Sequence, residues 1–267
     1  KKKKNALSFD DVLLVPKYSD IDSRSEITLE QAVKNVGHIS LPIISSPMDT
    51  VTESKMASAM YKYGGFGIIH RYNTIQQQAD LAREVIDQGG DCGAAIGIND
   101  DFLERAIALT NTGVGMICID VAHGHHTKVR YALEALRNTL GSTVHIMAGN
   151  VATLQGFNDL ADWGADSIRI GIGGGSICST RIVTGHGLPG LQTIFDCAKT
   201  DRDVAIIADG GIKTSGDIVK ALAAGADFVM CGSLLAGTTE SPGRVISLPD
   251  NSRVKEYRGM ASIFFFF

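Results

Sequence analysis

The chain has 267 residues, of which 44% are hydrophobic and 20% are charged, and its formal net charge is -4. This composition fits one large globular domain or two small ones. Because the basic residues are scattered, apart from Lys1–Lys4, the charge pattern argues against a nucleic acid partner.

The sequence gives no sign of a membrane or secretory protein. No apolar run comes near the roughly 20 residues that a membrane span requires, and the amino-terminal residues lack the apolar stretch of a secretory signal. An odd number of cysteines at irregular spacings argues against a disulfide framework and for a reducing compartment. We therefore expect a cytoplasmic protein. The five cysteines are Cys92, Cys118, Cys178, Cys197 and Cys231.

Eight short apolar runs, each ending in glycine or polar residues, are the predicted strands. Near-continuous apolar runs are typical of parallel strands that are covered on both faces. Helical patterns lie between them, so strands and helices alternate along the chain. The predicted strands are residues 41–48, 66–70, 93–98, 115–124, 143–150, 166–173, 204–211 and 227–237. The predicted helices are 54–63, 74–86, 101–109, 128–140, 154–163 and 215–225.

Eight strand–helix units predict an α/β fold, a closed (β/α)8 barrel, whose usual length is about 250 residues. We assign residues 5–262 to this single catalytic domain, without an inserted regulatory domain. We expect residues 1–4 and 263–267 to lie outside the fold, because four exposed phenylalanines at the end would promote aggregation. No convincing amphipathic helix follows the eighth strand, so we expect that a loop and the closing helix are missing from the sequence.

The loop after the sixth predicted strand, GIGGGSICSTR, contains Cys178. Barrels of this kind place their chemistry at the carboxyl ends of the strands. A thiol in a glycine-rich turn is open to a flat substrate, and nearby backbone N–H groups favour the reactive thiolate. A structural turn with an incidental cysteine explains the loop equally well. Cys118 and Cys231 lie within apolar strands and are expected to be packed, inert thiols.

Two glycine turns follow the seventh and eighth predicted strands, ADGG at 208–211 and CGS at 231–233. Small residues at these two strand ends allow several backbone N–H groups to converge on a phosphate. Asp209 could accept hydrogen bonds from a sugar diol. The alternative is that the glycines only permit tight turns, but their occurrence on adjacent strands favours a phosphate site.

Three further patterns carry less information. GIGGG does not open a helix, which argues against a dinucleotide fingerprint. HGHH at 123–126 is more typical of a polar turn than of a zinc site, because no supporting ligands accompany it. Glu240, taken alone, is a solvated charge in a loop.

Short motifs occur in order along nearly the whole chain: SFDDVLLVP, SSPMDTVTE, GIIH, DVAHG, MAGN, GSICSTR, IADGG, GSLLAG, ESPG and KEYRGMAS. Together they resemble the motifs of IMP dehydrogenases and GMP reductases. This resemblance implies a (β/α)8 barrel and an NAD(P)-dependent oxidoreductase that acts on a purine nucleoside monophosphate. It also implies a homotetramer or octamer.

The resemblance assigns roles to individual residues. It implies that Cys178 adds to C2 of the purine and that Thr180 and Glu240 handle the proton of the departing amine. The implied substrate-binding residues are Ser46, Met48, Arg169, Ser176, Asp209, Gly210, Gly211, Gly232, Ser233, Tyr257, Gly259 and Met260. The implied nicotinamide-binding residues are Asp120, Val121, Ala122 and Asn150. The implied ligands of a monovalent cation, K+, are the carbonyls of Gly173, Gly175 and Cys178.

Four features favour GMP reductase, which converts GMP to IMP and ammonia with NADPH. Most dehydrogenases carry an inserted CBS regulatory domain where this chain has only 71–91. The stretch SRSE at 23–26 resembles reductases, and Val121 and Ala261 stand where dehydrogenases usually have other residues. A separate departure from the family concerns the implied K+ site: Gly174 replaces the usual proline of the cysteine loop, which loosens the loop and weakens the assignment of its carbonyls as cation ligands.

Other functions stay open. SSPMDTVTE and YRGM are dehydrogenase-like, so conversion of IMP to XMP with NAD is the alternative. A nucleotide-binding barrel that has lost turnover is less well supported, because it would need none of Cys178, Thr180 and Glu240. A flavin-dependent barrel is also possible, since flavin uses phosphate sites at the same strand ends.

Overall fold

The computed structural model describes residues 5–99 and 101–260. The proposed terminal segments 1–4 and 263–267, and Ala261, lie outside these residues, so the domain boundaries stay predictions. Within the described residues, no helix has the length and apolar character to cross a membrane.

Eight parallel strands form a closed barrel, which confirms the predicted (β/α)8 fold. Each strand pairs with the next in the chain, and the last closes on the first through Val229 opposite Ile43. The barrel strands are β1 Ile43–Ser45, β2 Phe66–Ile69, β3 Gly93–Ile96, β4 Met116–Asp120, β5 His145–Val151, β6 Ser167–Ile170, β7 Ala205–Asp209 and β8 Phe228–Cys231.

Helices follow the strands and cover the outside of the barrel. Between β2 and β3 lies only α2, so this connection contains no inserted domain. The helices in the described residues are α1 Ser54–Lys62, α2 Ile75–Asp87, α3 Phe102–Thr110, α4 Thr127–Leu140, α5 Leu154–Asp162, α6 Thr180–Thr184, α7 Gly190–Cys197, α8 Ser215–Ala223 and α9 Ser233–Ala236.

The apolar strands separate two cores. One lies between the sheet and the helices, and includes Leu133, Phe157 and Ile168. The other fills the barrel interior, with Met147 and Phe228 among its buried members. Burial on both faces accounts for the near-continuous apolar runs in the sequence.

Several predicted boundaries were wrong. The run 227–237 is a strand only as far as Cys231, because α9 begins at Ser233 after the turn at Gly232. The predicted strand 115–124 ends at Asp120 and continues as a loop. The sequence analysis also missed α6 and α7.

Two short antiparallel hairpins lie outside the barrel and were not predicted. One joins Gln31–Val33 to Gly37–Ile39, and the other joins Ile246–Ser247 to Arg253–Val254. Strands of two or three residues leave too little apolar alternation for a sequence pattern to show them.

Asp166 fixes the first hairpin to the amino-terminal end of the barrel. Its Oδ1 accepts a hydrogen bond from Lys34 Nζ of the hairpin at 2.8 Å, and its Oδ2 accepts from the backbone N–H of Ile146 at 2.9 Å and from Arg137 Nη2. Burial raises the pKa of Asp166, but these hydrogen bonds outweigh burial and lower the pKa below its ordinary value of 3.8.

Asp166→Asn should lower the free energy of unfolding at pH 7 by about 2 kcal/mol. This is less than for a fully buried pair, because Lys34 is exposed. Since the folded protein lowers the pKa of Asp166, its contribution is complete above about pH 4 and is lost as the pH falls further. Urea unfolding at pH 7 and pH 3 measures this, and the difference between the two proteins should shrink at pH 3.

The matched control is Asp201→Asn, which removes an ion pair that Arg202 makes at the surface. It should change stability much less than Asp166→Asn at pH 7. Equal effects of the two substitutions, or an Asp166 effect that grows in acid, would contradict the assignment.

Candidate active site

A cavity of about 480 Å³ opens at the carboxyl ends of the barrel strands. Its wall contains every site residue that the sequence predicted except Glu240. The predicted residues on the wall are Ser46, Met48, Asp120, Val121, Ala122, Asn150, Arg169, Gly173, Gly175, Ser176, Cys178, Thr180, Asp209, Gly210, Gly211, Gly232, Ser233, Tyr257, Gly259 and Met260.

The loop between β6 and α6 carries the half-buried Cys178 into this cavity. The backbone N–H of Cys178 donates to the carbonyl of Gly175 at 3.1 Å, which closes a turn around the thiol. Cys178 Sγ lies 3.3 Å from Thr180 Oγ1, the first residue of α6. The thiol and the hydroxyl therefore present two reactive groups side by side on the cavity wall.

Glycine is required where the cysteine loop meets the end of β7. Gly171 has φ +130°, and a Cβ at this position would lie 2.0 Å from the carbonyl oxygen of Asp209. Gly210 has φ +91°, and a Cβ there would lie 3.1 Å from the backbone nitrogen of Gly175. Side chains at these positions would separate the two loops.

The other four cysteines are buried. Burial raises the pKa of the Cys118, Cys197 and Cys231 thiols to about 12 and also raises that of Cys92. Cys118 and Cys231 are therefore packed, un-ionised thiols, as the sequence predicted. Among the five cysteines, only Cys178 is placed where a cavity ligand could reach it.

A charged network crosses the floor of the cavity. Arg169 Nη1 donates to Asp120 Oδ1 at 2.6 Å, and Nη2 donates to Asp209 Oδ2 at 2.8 Å. Asn150 Nδ2 donates to the same Asp209 oxygen at 2.8 Å and to the carbonyl of Gly171 at 3.0 Å. The network thus connects residues predicted for the cofactor with residues predicted for the substrate.

Residues 255–260, here called the strap, return the chain to the cavity after the second hairpin. Lys255 Nζ donates to the carbonyl of Ser241 at 2.6 Å, and Arg258 forms an ion pair with Asp49. These contacts hold the strap at Lys255 and Arg258, and Tyr257, Gly259 and Met260 complete the cavity wall.

Tyr257 of the strap reaches the predicted phosphate end of the cavity. Its hydroxyl lies 3.9 Å from Met48 Sδ, and a Cβ on Gly232 would lie 2.8 Å from this hydroxyl. Burial is the main cause that raises the pKa of Tyr257, while a hydrogen bond with Ser176 acts in the opposite direction. Tyr257 is therefore a neutral phenol that can donate a hydrogen bond.

Glu240 is not brought together with Thr180. It lies in the loop after α9 and is absent from the described residues that line the cavity. A hydrogen bond with Thr239 is the first cause that lowers the pKa of Glu240, and the charge of Lys255 contributes. The carboxylate is thus ionised and held by its own loop.

The sequence analysis missed Arg71 and Tyr72, which also line the cavity. The Arg71 guanidinium carbon lies 4.9 Å from the Tyr72 ring centroid, and Arg71 Nε lies 3.7 Å from Asp120 Oδ2. Both residues directly follow β2 and His70, so the rule that barrel sites lie at carboxyl strand ends could have found them.

The HGHH loop has local structural partners. His125 Nε2 lies 2.7 Å from Asp159 Oδ2 of α5, and His126 Nδ1 accepts from the backbone N–H of Lys128 at the start of α4. The described residues contain no group of His, Cys, Asp and Glu that could hold a metal ion.

Comparison with known proteins identifies the IMP dehydrogenase / GMP reductase domain over residues 6–265. An inosine-5'-monophosphate dehydrogenase from Nitrosopumilus maritimus is 34% identical over 388 residues, covering 97% of this chain and 81% of that protein. One from Cryptosporidium parvum is 40% identical over 303 residues, covering 96% and 74%. A GMP reductase from Leishmania major is 31% identical over 391 residues, covering 96% and 79%.

A thiol-alkylating reagent at pH 8 should label Cys178 first, because the other four thiols are buried and largely protonated. Peptide mass spectrometry after a short exposure to iodoacetamide measures the order of labelling. Cys178→Ser should remove the early label, whereas the control Cys197→Ser should leave it unchanged. Early labelling of Cys92, Cys118 or Cys231 would contradict the arrangement.

Proposed function

The chain belongs to the IMP dehydrogenase / GMP reductase family of NAD(P)-dependent oxidoreductases, and we propose that it acts as a GMP reductase. The proposed reaction converts GMP and NADPH to IMP, ammonia and NADP. The observation that carries the proposal is the half-buried Cys178 beside Thr180 on the wall of a cavity at the carboxyl ends of the strands.

The proposed nucleotide lies across the cavity with its phosphate at the ends of β7 and β8. Ser176, Gly211, Gly232 and Ser233 would bind the phosphate, and Tyr257 can donate a hydrogen bond nearby. Asp209 would accept from the ribose hydroxyls, since its Oδ1 has no hydrogen bond partner among the described residues. This pose directs the purine base towards Cys178.

Cys178 would act as the nucleophile of the reaction. Its thiolate forms a bond to C2 of GMP, and the amino group leaves C2 as ammonia after it gains a proton. NADPH, when bound, supplies the hydride that C2 requires. The bond between sulfur and C2 then breaks, the thiolate is regenerated, and IMP is released.

Thr180 is the better supported half of the proposed proton-handling pair. It is already beside the thiol, whereas Glu240 lies in a loop away from the cavity wall. The role proposed for Glu240 in proton transfer therefore has less structural support than the role proposed for Thr180.

The residues at the cofactor side fit a nicotinamide nucleotide. Asp120 offers a carboxylate oxygen, and Val121 and Ala122 add an apolar surface beside it. For the cation, the carbonyls of Gly173, Gly175 and Cys178 are hard oxygen ligands of the kind that K+ accepts. The Gly175 carbonyl also accepts the Cys178 N–H, so a bound cation would stabilise the cysteine loop.

Fewer features support the choice between reductase and dehydrogenase than support the assignment to the family. The alignments with the Nitrosopumilus dehydrogenase and the Leishmania reductase are both longer than this chain, at 388 and 391 residues. Large insertions relative to this chain thus occur under both names, so their absence from this chain does not by itself favour the reductase. Val121 and SRSE at 23–26 still do.

IMP dehydrogenase is the second candidate. The Cryptosporidium and Nitrosopumilus dehydrogenases are 40% and 34% identical to this chain, against 31% for the Leishmania reductase. In that reaction NAD accepts the hydride from IMP, and water releases the product XMP from Cys178. In either case we propose a homotetramer or octamer, and exposed apolar side chains such as Leu13, Val15 and Tyr18 support self-association.

The two candidates predict opposite changes in nicotinamide absorbance. With GMP and NADPH, the reductase should consume the reduced nicotinamide at 340 nm, and ammonia should form in equal amount. With IMP and NAD, a dehydrogenase should produce it instead. Absorbance change only in the second mixture would overturn the reductase proposal, and none in either would overturn both.

Cys178→Ala should abolish turnover, because no other thiol can reach C2. Rates should fall by at least about 10³-fold, whereas GMP binding measured by calorimetry should persist, since phosphate and ribose contacts are intact. Cys197→Ala is the control, because its thiol is buried at the end of α7 and does not line the cavity. Turnover by Cys178→Ala near the wild-type rate would contradict the nucleophile assignment.

A further inference from the structure

Among the described residues, Arg169 is the only positively charged residue that contacts both Asp120 and Asp209. Its side chain is only 7% exposed. Burial alone would lower the pKa of Arg169, but the charges of Asp209 and Asp120 outweigh it and raise the pKa well above its usual range. The guanidinium is therefore a permanent cation held between two carboxylates.

The geometry depends on a glycine in the intervening strand. Arg169 of β6 pairs with Gly149 of β5, and Gly149 pairs in turn with Asp120 of β4. A Cβ on Gly149 would lie 2.5 Å from Arg169 Cβ. Because this position has no side chain, the arginine can reach across a whole strand to Asp120.

The hydrogen bonds of the Arg169 guanidinium are directed at the two carboxylates and at one buried thiol. Nη1 is directed to Asp120 at 2.6 Å and lies 3.7 Å from Cys118 Sγ, and Nη2 is directed to Asp209 at 2.8 Å. Nε is buried and has no partner. Arg169 thus contacts both carboxylates at once, and through them it can influence ligands on two sides of the cavity.

Each carboxylate keeps one oxygen that the guanidinium does not use. Asp209 Oδ1 and Asp120 Oδ2 have no hydrogen bond within the described part of the chain, although Arg71 Nε lies 3.7 Å from the latter. These two oxygens are on the substrate side and the cofactor side of the cavity, respectively. Because the guanidinium is planar and its two Nη groups are held in a fixed geometry, it restricts the distance between the two carboxylates more than two independent side chains could.

We propose that Arg169 is a positioning residue, which acts through Asp120 and Asp209 by fixing the carboxylate that binds the nucleotide ribose relative to the carboxylate that binds the dinucleotide. This inference rests on the proposed function for the identity of the two ligands. The contacts of Arg169 with Asp120 and Asp209 do not depend on which ligands bind.

Steady-state kinetics of single variants test the proposal. Asp209→Asn should raise mainly the KM for the purine nucleotide, and Asp120→Asn mainly the KM for the dinucleotide. Arg169→Gln should raise both KM values and lower kcat on the order of 100-fold, because a displacement of about 1 Å between reacting groups has this effect. Arg169→Lys should recover one KM but not both, since an ammonium lacks the fork.

Two results would overturn the proposal. A rise in the nucleotide KM alone in Arg169→Gln would make Arg169 a direct substrate ligand. A loss of kcat with both KM values unchanged would make it merely structural. In addition, Arg169→Gln in an Asp209→Asn background should raise the nucleotide KM little further, because both changes act on one contact.

Arg137→Gln is the matched control. It removes a partly buried arginine that pairs with Asp166 at the opposite end of the barrel. The melting temperature should fall, while both KM values stay at the wild-type level. A KM change in this control equal to that of Arg169→Gln would attribute the effect to general destabilisation and overturn the proposal.

A crystal structure of Arg169→Gln separates this inference from the proposed function. If the wild-type protein turns over neither GMP nor IMP, the proposed function fails. The positions of the Asp120 and Asp209 carboxylates in the variant structure would still test the role of Arg169. The proposal requires that Asp120 or Asp209 leaves its wild-type position. Both carboxylates in place without the guanidinium would overturn it, whatever the reaction.

Discussion

The close contact between the end of β6 and the end of β7 determines the whole site. Gly171 approaches the Asp209 carbonyl so closely that no side chain fits between them. This contact places the cysteine loop against the ADGG turn, so that a thiol on one strand end and a carboxylate on the next share one cavity. It depends on glycine because the required backbone has a positive φ and no space for a Cβ.

Arginine–aspartate contacts at the two ends of the barrel have different consequences. At the carboxyl end, Arg169 joins two carboxylates that face the cavity. At the amino-terminal end, Arg137 and Lys34 meet on Asp166, which fastens a hairpin to the barrel. The same chemistry thus organises ligand groups at one end and stabilises the fold at the other, as is usual for barrels of this kind.

The fold and most of the cavity wall could be predicted because both depend on local signals. Apolar runs indicate buried strands, and polar residues after them indicate the cavity. The hairpins could not be predicted, since contacts such as Lys34 with Asp166 join residues distant in sequence. The position of Glu240 was not predictable either, because hydrogen bonds to its sequence neighbours Thr238 and Thr239 hold its side chain.

The strap, residues 255–260, affects how tightly the cavity binds a ligand. Tyr257, Gly259 and Met260 reach the cavity only after the eight-stranded barrel is complete. An ion pair between the half-exposed Arg258 and Asp49, and a partly buried hydrogen bond from Lys255 to Ser241, hold this late segment in place. Molecules with an undocked strap would have an open-sided pocket, and the measured dissociation constant would then equal the intrinsic one divided by the docked fraction. Salt, which weakens exposed ion pairs, would thereby weaken binding without touching the pocket.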